Sequence, residues 1–312
     1  VNRRYLEKLF KKMILKIINK LTIFKKLNIK FAKTIFTAII YLDDIFLRFR
    51  IFLITIFLKK DNRVVKALNE LKTNGVSIIK NFYTQEETDN IKYECIKILD
   101  GIPLEKVKKP EYIMAEPLKI NDKIFYMEKF GKSIKLKGLN TINSFLNKIG
   151  RNFENNLITL IYHLNTSKPY LIYNVSHDGS SKHAALQDYG DNQNETISGR
   201  PHVDLYLHKL RCFIALEDVN EKNGATVYFN KSMNSRILKN NHLNLFLKNF
   251  EFNDDAESSH YVDEKKLSNL KKDCEKSFLT CNKGDLALID LKTAHYAILP
   301  KNGERQLLWF YY

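Results

Sequence analysis

The amino-acid sequence predicts an α+β fold, a small β-barrel or jelly roll with helices packed on it. Two observations carry that reading. Helical patterns fill the first half of the chain, and the last hundred residues divide into short strand-like runs separated by turn signals. With 312 residues, 44% of them hydrophobic and 28% charged, the chain can bury a sizeable core.

The N-terminal part comes first. Leu6, Leu9, Phe10, Met13, Ile14, Ile17, Ile18 and Leu21 recur at helical spacing, with Lys8, Lys11, Lys12 and Asn19 on the other side. A second apolar stretch, Phe31 to Leu58, is broken by Lys33, Asp43, Asp44, Arg48 and Arg50. Its uninterrupted pieces fall short of the roughly 20 residues a spanning helix needs. Recurring lysines also argue against a signal peptide. Residues 1–60 hold 15 Lys/Arg against Glu7, Asp43 and Asp44, a net +12, and the remaining 252 residues hold 36 basic and 32 acidic groups, a net +4. A near-neutral body does not suit nucleic acid. The sequence therefore divides into a basic amphipathic helical extension over residues 1–61 and a domain over 62–312. Two readings of the extension stand side by side. One is a peripheral membrane anchor through residues 1–60. The other is a pair of helices that pack on the domain or on a second subunit.

From Asn62 the texture changes. Val64 to Lys72 reads as a helix ended by Asn74-Gly75, and Val76 to Lys80 as a strand. Thr84 and Glu87 form a capping-box pattern that opens a helix to about Leu99. Residues 143–160 read as helical, and the polar stretch 170–199 as one short strand followed by an irregular loop. The strand candidates are His202–Leu207, Arg211–Leu216, Ala225–Phe229, Asp285–Leu291, Ala294–Leu299 and Arg305–Tyr312. Between them, residues 232–279 read as a charged helical insert. The cysteines Cys95, Cys212, Cys274 and Cys281 include no CxxC pair. Their spacing builds no structural zinc site and fits a reducing, cytoplasmic setting.

His202-Val203-Asp204 is the only HxD in the chain. On a strand, residues i and i+2 share a face, so an imidazole and a carboxylate would converge. A second histidine beside them gives the two-histidine, one-carboxylate set that suits non-haem Fe(II) and leaves positions for a co-substrate and oxygen. His242 and His260 fall in the insert, and His208 offers no second anchor, which leaves His295. Arg305 follows ten residues later. A three-residue hairpin loop, Lys301-Asn302-Gly303, would pair 299 with 305 and place His295 and Arg305 on one face, roughly 13 Å apart. Each feature alone is weak: a lone HxD is seldom a ligand pair, a lone histidine is more often a core residue, and a lone arginine more often a surface one. Their joint occurrence gives them weight.

These motifs resemble the phytanoyl-CoA dioxygenase family of Fe(II)/2-oxoglutarate-dependent oxygenases. The segments are VSIIKNFYTQEETDNIK at 76–92, RPHVDLYLHKLRCFIALEDVNEKNGAT at 200–226 and KGDLALIDLKTAHYAILPKNGERQLLWFYY at 283–312. The chain departs from the family after NGA, where Val227 to Ser232 replace a proline-glycine-serine-histidine turn. Phe213 stands where some members carry Trp near the co-substrate, and Ala297 replaces a small polar residue. The resemblance implies a double-stranded β-helix (jelly-roll, cupin-like) core. It implies Fe(II) on His202, Asp204 and His295, 2-oxoglutarate on Arg305, and O2 as oxidant. Phe213, Tyr173 and Thr293 join Arg305 as candidate co-substrate contacts, with Gln187 as a further pocket candidate. Because Asp204 is present, and halogenating relatives lack that carboxylate, the implied outcome is hydroxylation of a small-molecule or lipid-linked substrate. Two rival functions remain: a non-catalytic metal- or ligand-binding β-helix protein, and a membrane-associated interaction protein that works through its N-terminus.

Overall fold

The computed structural model describes residues 29–57, 62–102, 116–120, 123–130, 133–154, 157–162, 170–177, 201–249, 261–298, 300–301 and 303–311. The amphipathic segment from Leu6 to Leu21 and the loop over 178–200, with Gln187, lie outside them. The second apolar stretch is one helix, α1 (Ile29–Phe57). In α2 (Arg63–Asn74), Asn62 caps the start by accepting from the Val64 N–H at 2.8 Å. Gly75 ends the helix at φ 82°, its N–H donating to the Leu71 carbonyl at 2.8 Å. The chain then enters β1 (Val76–Ile79). The capping box forms as the sequence suggests: Thr84 and Glu87 satisfy each other's backbone N–H groups at the start of α3 (Gln85–Asp100).

A meander that the sequence reading lacks comes next: β2 (Glu116–Ile120), β3 (Lys123–Phe130) and β4 (Ser133–Lys137). Helices α4 (Leu139–Ile142), α5 (Ser144–Glu154) and α6 (Leu157–Tyr162) follow, then β5 (Tyr170–His177), β6 (Leu210–Ala215) and β7 (Thr226–Phe229). The expected helical insert holds α7 (Lys239–Asn249) and α8 (Glu264–Asp273), but it also contains a strand, β8 (Lys276–Leu279). The chain closes with β9 (Leu286–Asp290), β10 (His295–Tyr296) and β11 (Glu304–Tyr311).

The strands form two sheets, β1-β9-β6-β11-β5-β4-β3-β2 and β10-β7-β8. From β6 onward the chain passes from the large sheet to the small one and back repeatedly, which is the winding of a double-stranded β-helix without closure into a barrel. Both faces of the central strands β9, β6 and β11 are covered. Cys212, Ile214, Leu288, Leu308 and Phe310 face α2 and α3, meeting Leu68, Leu71 and Ile91. Phe213, Ala215, Ala287, Ile289 and Leu307 face the small sheet and meet Ala225, Leu279 and Cys281. Burial on both sides explains why β9 is apolar without alternation until Asp290.

Helix α1 belongs to this body along one face. Leu47 and Ile51 enter the main core, and Phe36 lies 6.4 Å from Tyr206 and 5.4 Å from Phe246 between ring centroids. Its Asp43 carboxylate accepts from the His208 N–H at 2.7 Å. Beneath it the His208 ring touches Asp290 and Lys292. His242 donates from Nε2 to the Lys292 carbonyl at 3.2 Å. Burial, with the Lys292 charge beside it, brings the His242 pKa down to about 4 from 6.5. The unfolded chain therefore takes up this proton first, and stability is lost as pH falls from 6.5 to 4, by about 3 kcal/mol for a shift of this size. Urea unfolding across that window should show the loss, and His242→Gln should flatten the slope.

Candidate metal centre

His202 and His295 are joined before any side chain is considered. Each backbone N–H donates to the other's carbonyl, at 3.0 Å in both directions. The sequence expectation of a strand over His202–Leu207 is corrected here: only His202 makes bridges, to His295 and Tyr261, and the chain then bends away. The N–H groups of Asp204 and Leu205 both donate to the Leu291 carbonyl at 3.1 Å, so the bend rather than a pleat brings the carboxylate back. The metal-binding atoms of His202, Asp204 and His295 all lie within 4.8 Å of one another. Asp204 Oδ1 is 3.4 Å from His202 Nε2, and Oδ2 is 3.6 Å from His295 Nε2. An ion bonded at roughly 2.1 Å to three ligands at right angles would space them by about 3 Å, so small side-chain movements close the set around a metal.

The protonation pattern fits ligation. His295 Nδ1 lies 2.8 Å from the Thr293 carbonyl, which can only accept, so Nδ1 carries the hydrogen and Nε2 offers its lone pair. Burial, helped by the neighbouring His202, lowers the His295 pKa to about 4 and keeps the ring neutral. For Asp204, burial alone would raise the pKa. The His202 hydrogen bond, His295 once protonated at the low pH where this carboxyl titrates, and the Arg211 guanidinium outweigh it and hold the carboxyl well below the usual range. Arg211 Nη1 stands 2.8 Å from Asp204 Oδ2 as an ion pair, yet this buried oxygen accepts no hydrogen bond and keeps a lone pair free. A buried acceptor left in that state is expensive unless something else, such as a cation, uses it.

Arg305 is buried on the inner face of β11, in the parity of Leu307 and Trp309. The hairpin expected between His295 and Arg305 is corrected: β10 pairs with β7 in the small sheet, whereas β11 pairs with β5 and β6 in the large one. The two residues belong to opposite walls of the sandwich. Arg305 Nη1 donates to the Gly224 carbonyl and Nη2 to Ser176 Oγ at 3.3 Å, while Nε has no partner. No carboxylate among the described residues pairs with this guanidinium, and burial lowers its pKa to about 10. Gly224 precedes Tyr228, the partner of His295, by four residues, a distance of about 13 Å along an extended chain.

The other expected site residues are placed differently. Phe213 faces the sandwich interior, its ring 4.7 Å from that of Trp309. Tyr173 does not: it pairs with Leu308 on the helix-covered face, and its hydroxyl donates to Gln306 at 2.7 Å. A strand buried on both faces leaves no alternation from which to read that parity. Thr293 serves through its carbonyl on His295, while its hydroxyl donates to the Gly75 carbonyl at 3.3 Å. The sequence reading missed Arg211, Ser176 and Gly224. Arg211 carried a usable signal, since it stands two residues before Phe213 on β6 and so shares its face. Gly75 supports the centre from behind. At φ 82° a Cβ would meet the Thr293 hydroxyl. Gly75→Ala should therefore cost about 2 kcal/mol or more in a thermal melt and weaken metal binding through the displaced Thr293–His295 turn.

Neither a family model nor a curated protein matches the chain. Solved structures are similar to it in outline. The non-heme alpha ketoglutarate dependent carbocyclase SnoK from nogalamycin biosynthesis is 14% identical, over 79% of this chain and 83% of its own, with a TM-score of 0.45. The epimerase SnoN, solved with Fe3+, alpha ketoglutarate and nogalamycin RO, is 9% identical over 79% and 82%, with a TM-score of 0.45. EctD from S. alaskensis, solved with 2-oxoglutarate and 5-hydroxyectoine, is 9% identical over 81% and 77%, with a TM-score of 0.47. Likeness at this level leaves the assignment of the site to its own geometry.

Proposed function

We propose that the chain is an Fe(II)- and 2-oxoglutarate-dependent oxygenase of the phytanoyl-CoA dioxygenase type that hydroxylates an unactivated C–H bond of a small-molecule or lipid-like substrate. One pairing carries the reading. A two-histidine, one-carboxylate cluster on one wall of the sandwich is matched by a buried guanidinium on the other that has no carboxylate partner among the described residues. His202, Asp204 and His295 would hold Fe(II) and leave three positions open. The Arg305 fork would bind the far carboxylate of the five-carbon diacid, and burial strengthens that ion pair. When bound, the iron and 2-oxoglutarate supply the oxidising power: one O2 is spent on substrate hydroxylation and on conversion of the diacid to succinate and carbon dioxide.

The chain's own residues do the positioning. The Thr293 carbonyl fixes the His295 tautomer, and Arg211 orients Asp204. Phe213 and Trp309 present apolar surface that excludes water. The test is an anaerobic titration with Fe(II) and 2-oxoglutarate, read by visible absorbance, followed by succinate measurement on admitting oxygen. A weak absorbance band and succinate release support the proposal. Metal binding without succinate would make the protein a metal-binding β-helix instead.

A further inference from the structure

Helix α1 buries one face and, among the described residues, exposes the other. Among the described residues, eight of the ten most exposed large hydrophobics are its Tyr41, Leu42, Ile45, Phe46, Phe49, Phe52, Leu53 and Ile56. At 3.6 residues per turn these eight fall within an arc of about 140°. The buried Phe36, Leu47 and Ile51 point the other way, and Arg48 and Arg50 stand at the two borders of the arc. A contiguous apolar face of this kind marks a contact with something outside the domain.

We infer that this face is a docking surface for an anionic lipid bilayer, with α1 lying in the plane of the interface. Three observations select that occupant. First, the charge is complementary: residues 1–28, immediately upstream, hold nine Lys/Arg against Glu7 alone, and Lys59 and Lys60 follow the helix. Basic groups beside an exposed apolar face are the pairing that anionic headgroups and acyl chains recognise together. Second, a second copy is disfavoured by the same charge, because it would bring two net +12 segments together. Third, no described helix is long and apolar enough to cross a membrane, and α1 is committed along its inner face to the protein core, which leaves the interface plane as its place in a lipid system.

The attachment is made through several contacts. Asp43 holds the His208 backbone, four residues beyond Asp204, and Phe36 packs on Tyr206 and Phe246. Docking through α1 therefore orients the whole β-helix relative to the lipid instead of merely tethering it.

The experiment is co-sedimentation of the full chain with extruded vesicles of phosphatidylcholine, alone or mixed with phosphatidylglycerol, beside Phe49→Glu and Phe52→Glu. These two positions are 54% and 60% exposed, so a charge there leaves the core intact, which a thermal melt verifies. The chain is expected to pellet with the anionic vesicles and release at high salt, and each substitution is expected to weaken binding by about tenfold or more. Three results would overturn the inference: no binding to anionic vesicles, binding unchanged by both substitutions together, or a dimer in light scattering that the same substitutions dissolve. Binding unchanged would place the lipid contact in residues 1–28, and a dissolved dimer would make the face a contact between copies. None of these readouts involves turnover, so failure here is separate from failure of the oxygenase reading.

Discussion

Asp204→Ala is expected to lower Fe(II) affinity by more than about 100-fold, beyond what loss of a supporting contact alone costs, and to bring succinate formation below detection. In the proposed centre the carboxylate would be one of three ligands, and it also organises the metal-free cluster. It is the counter-charge of Arg211 and stands beside both imidazoles. Its folded pKa lies below the ordinary carboxylate value because those neighbours outweigh its burial. Stability from this group is therefore present above pH 3.8 and lost as pH falls below it. At neutral pH, Asp204→Ala should cost the metal-free protein about 2 kcal/mol, since Arg211 is left without its partner in a partly solvated site. Asp204→Asn separates the two roles. It keeps the shape and an acceptor oxygen for Arg211 but lacks the charge that would bind iron. Its metal-free melt should therefore fall less than that of the alanine variant while Fe(II) affinity drops. A calorimetric Fe(II) titration and a metal-free melt on each variant test both parts. Unchanged affinity in Asp204→Ala would mean that another carboxylate serves and would remove Asp204 from the site.

The elements legible in the sequence are those with their own local punctuation. Asn62, Gly75 and the Thr84–Glu87 pair mark helix ends within a few residues of where they fall. The His202–Asp204 pair is similarly short-range, and its two side chains meet even though the expected strand is a single bridge followed by a bend. What escaped was long-range. Arg305 follows His295 by ten residues, which invites a hairpin, but the chain uses those residues to cross between sheets. A register argument ties the two residues to one face only through a turn that does not form. Tyr173 was misplaced because β5 is buried on both faces and its sequence has no polar side to mark parity. Arg211 shares the face of Phe213 on β6, but its pairing with Asp204 depends on the bend that returns the carboxylate over β6. The strand β8 was hidden behind the charged helix α8, whose composition dominates the insert.

Arg305→Leu should separate function from stability in the opposite sense to Asp204→Ala. The guanidinium is buried, its Nε lacks a partner, and burial has already lowered its pKa to about 10. A charge in that position costs folding free energy that only a bound anion returns. Leucine removes the charge at similar reach and leaves Ser176 still donating to Asn174 at 2.8 Å, although the Gly224 carbonyl loses its donor. The variant, free of metal and co-substrate, should therefore melt at or above the parent temperature, by up to about 1 kcal/mol in stability. Its KM for 2-oxoglutarate should rise by about 100-fold or more, the equivalent of two charge-assisted hydrogen bonds. The linked effect is the sharper readout. In the presence of Fe(II), 2-oxoglutarate at a hundred times its Kd should stabilise the parent by about 2.7 kcal/mol and the variant hardly at all. A structural arginine would behave otherwise: its loss would lower the melt without ligand and leave the ligand-induced shift intact. That pattern would take 2-oxoglutarate off Arg305 and leave the metal triad without its co-substrate anchor.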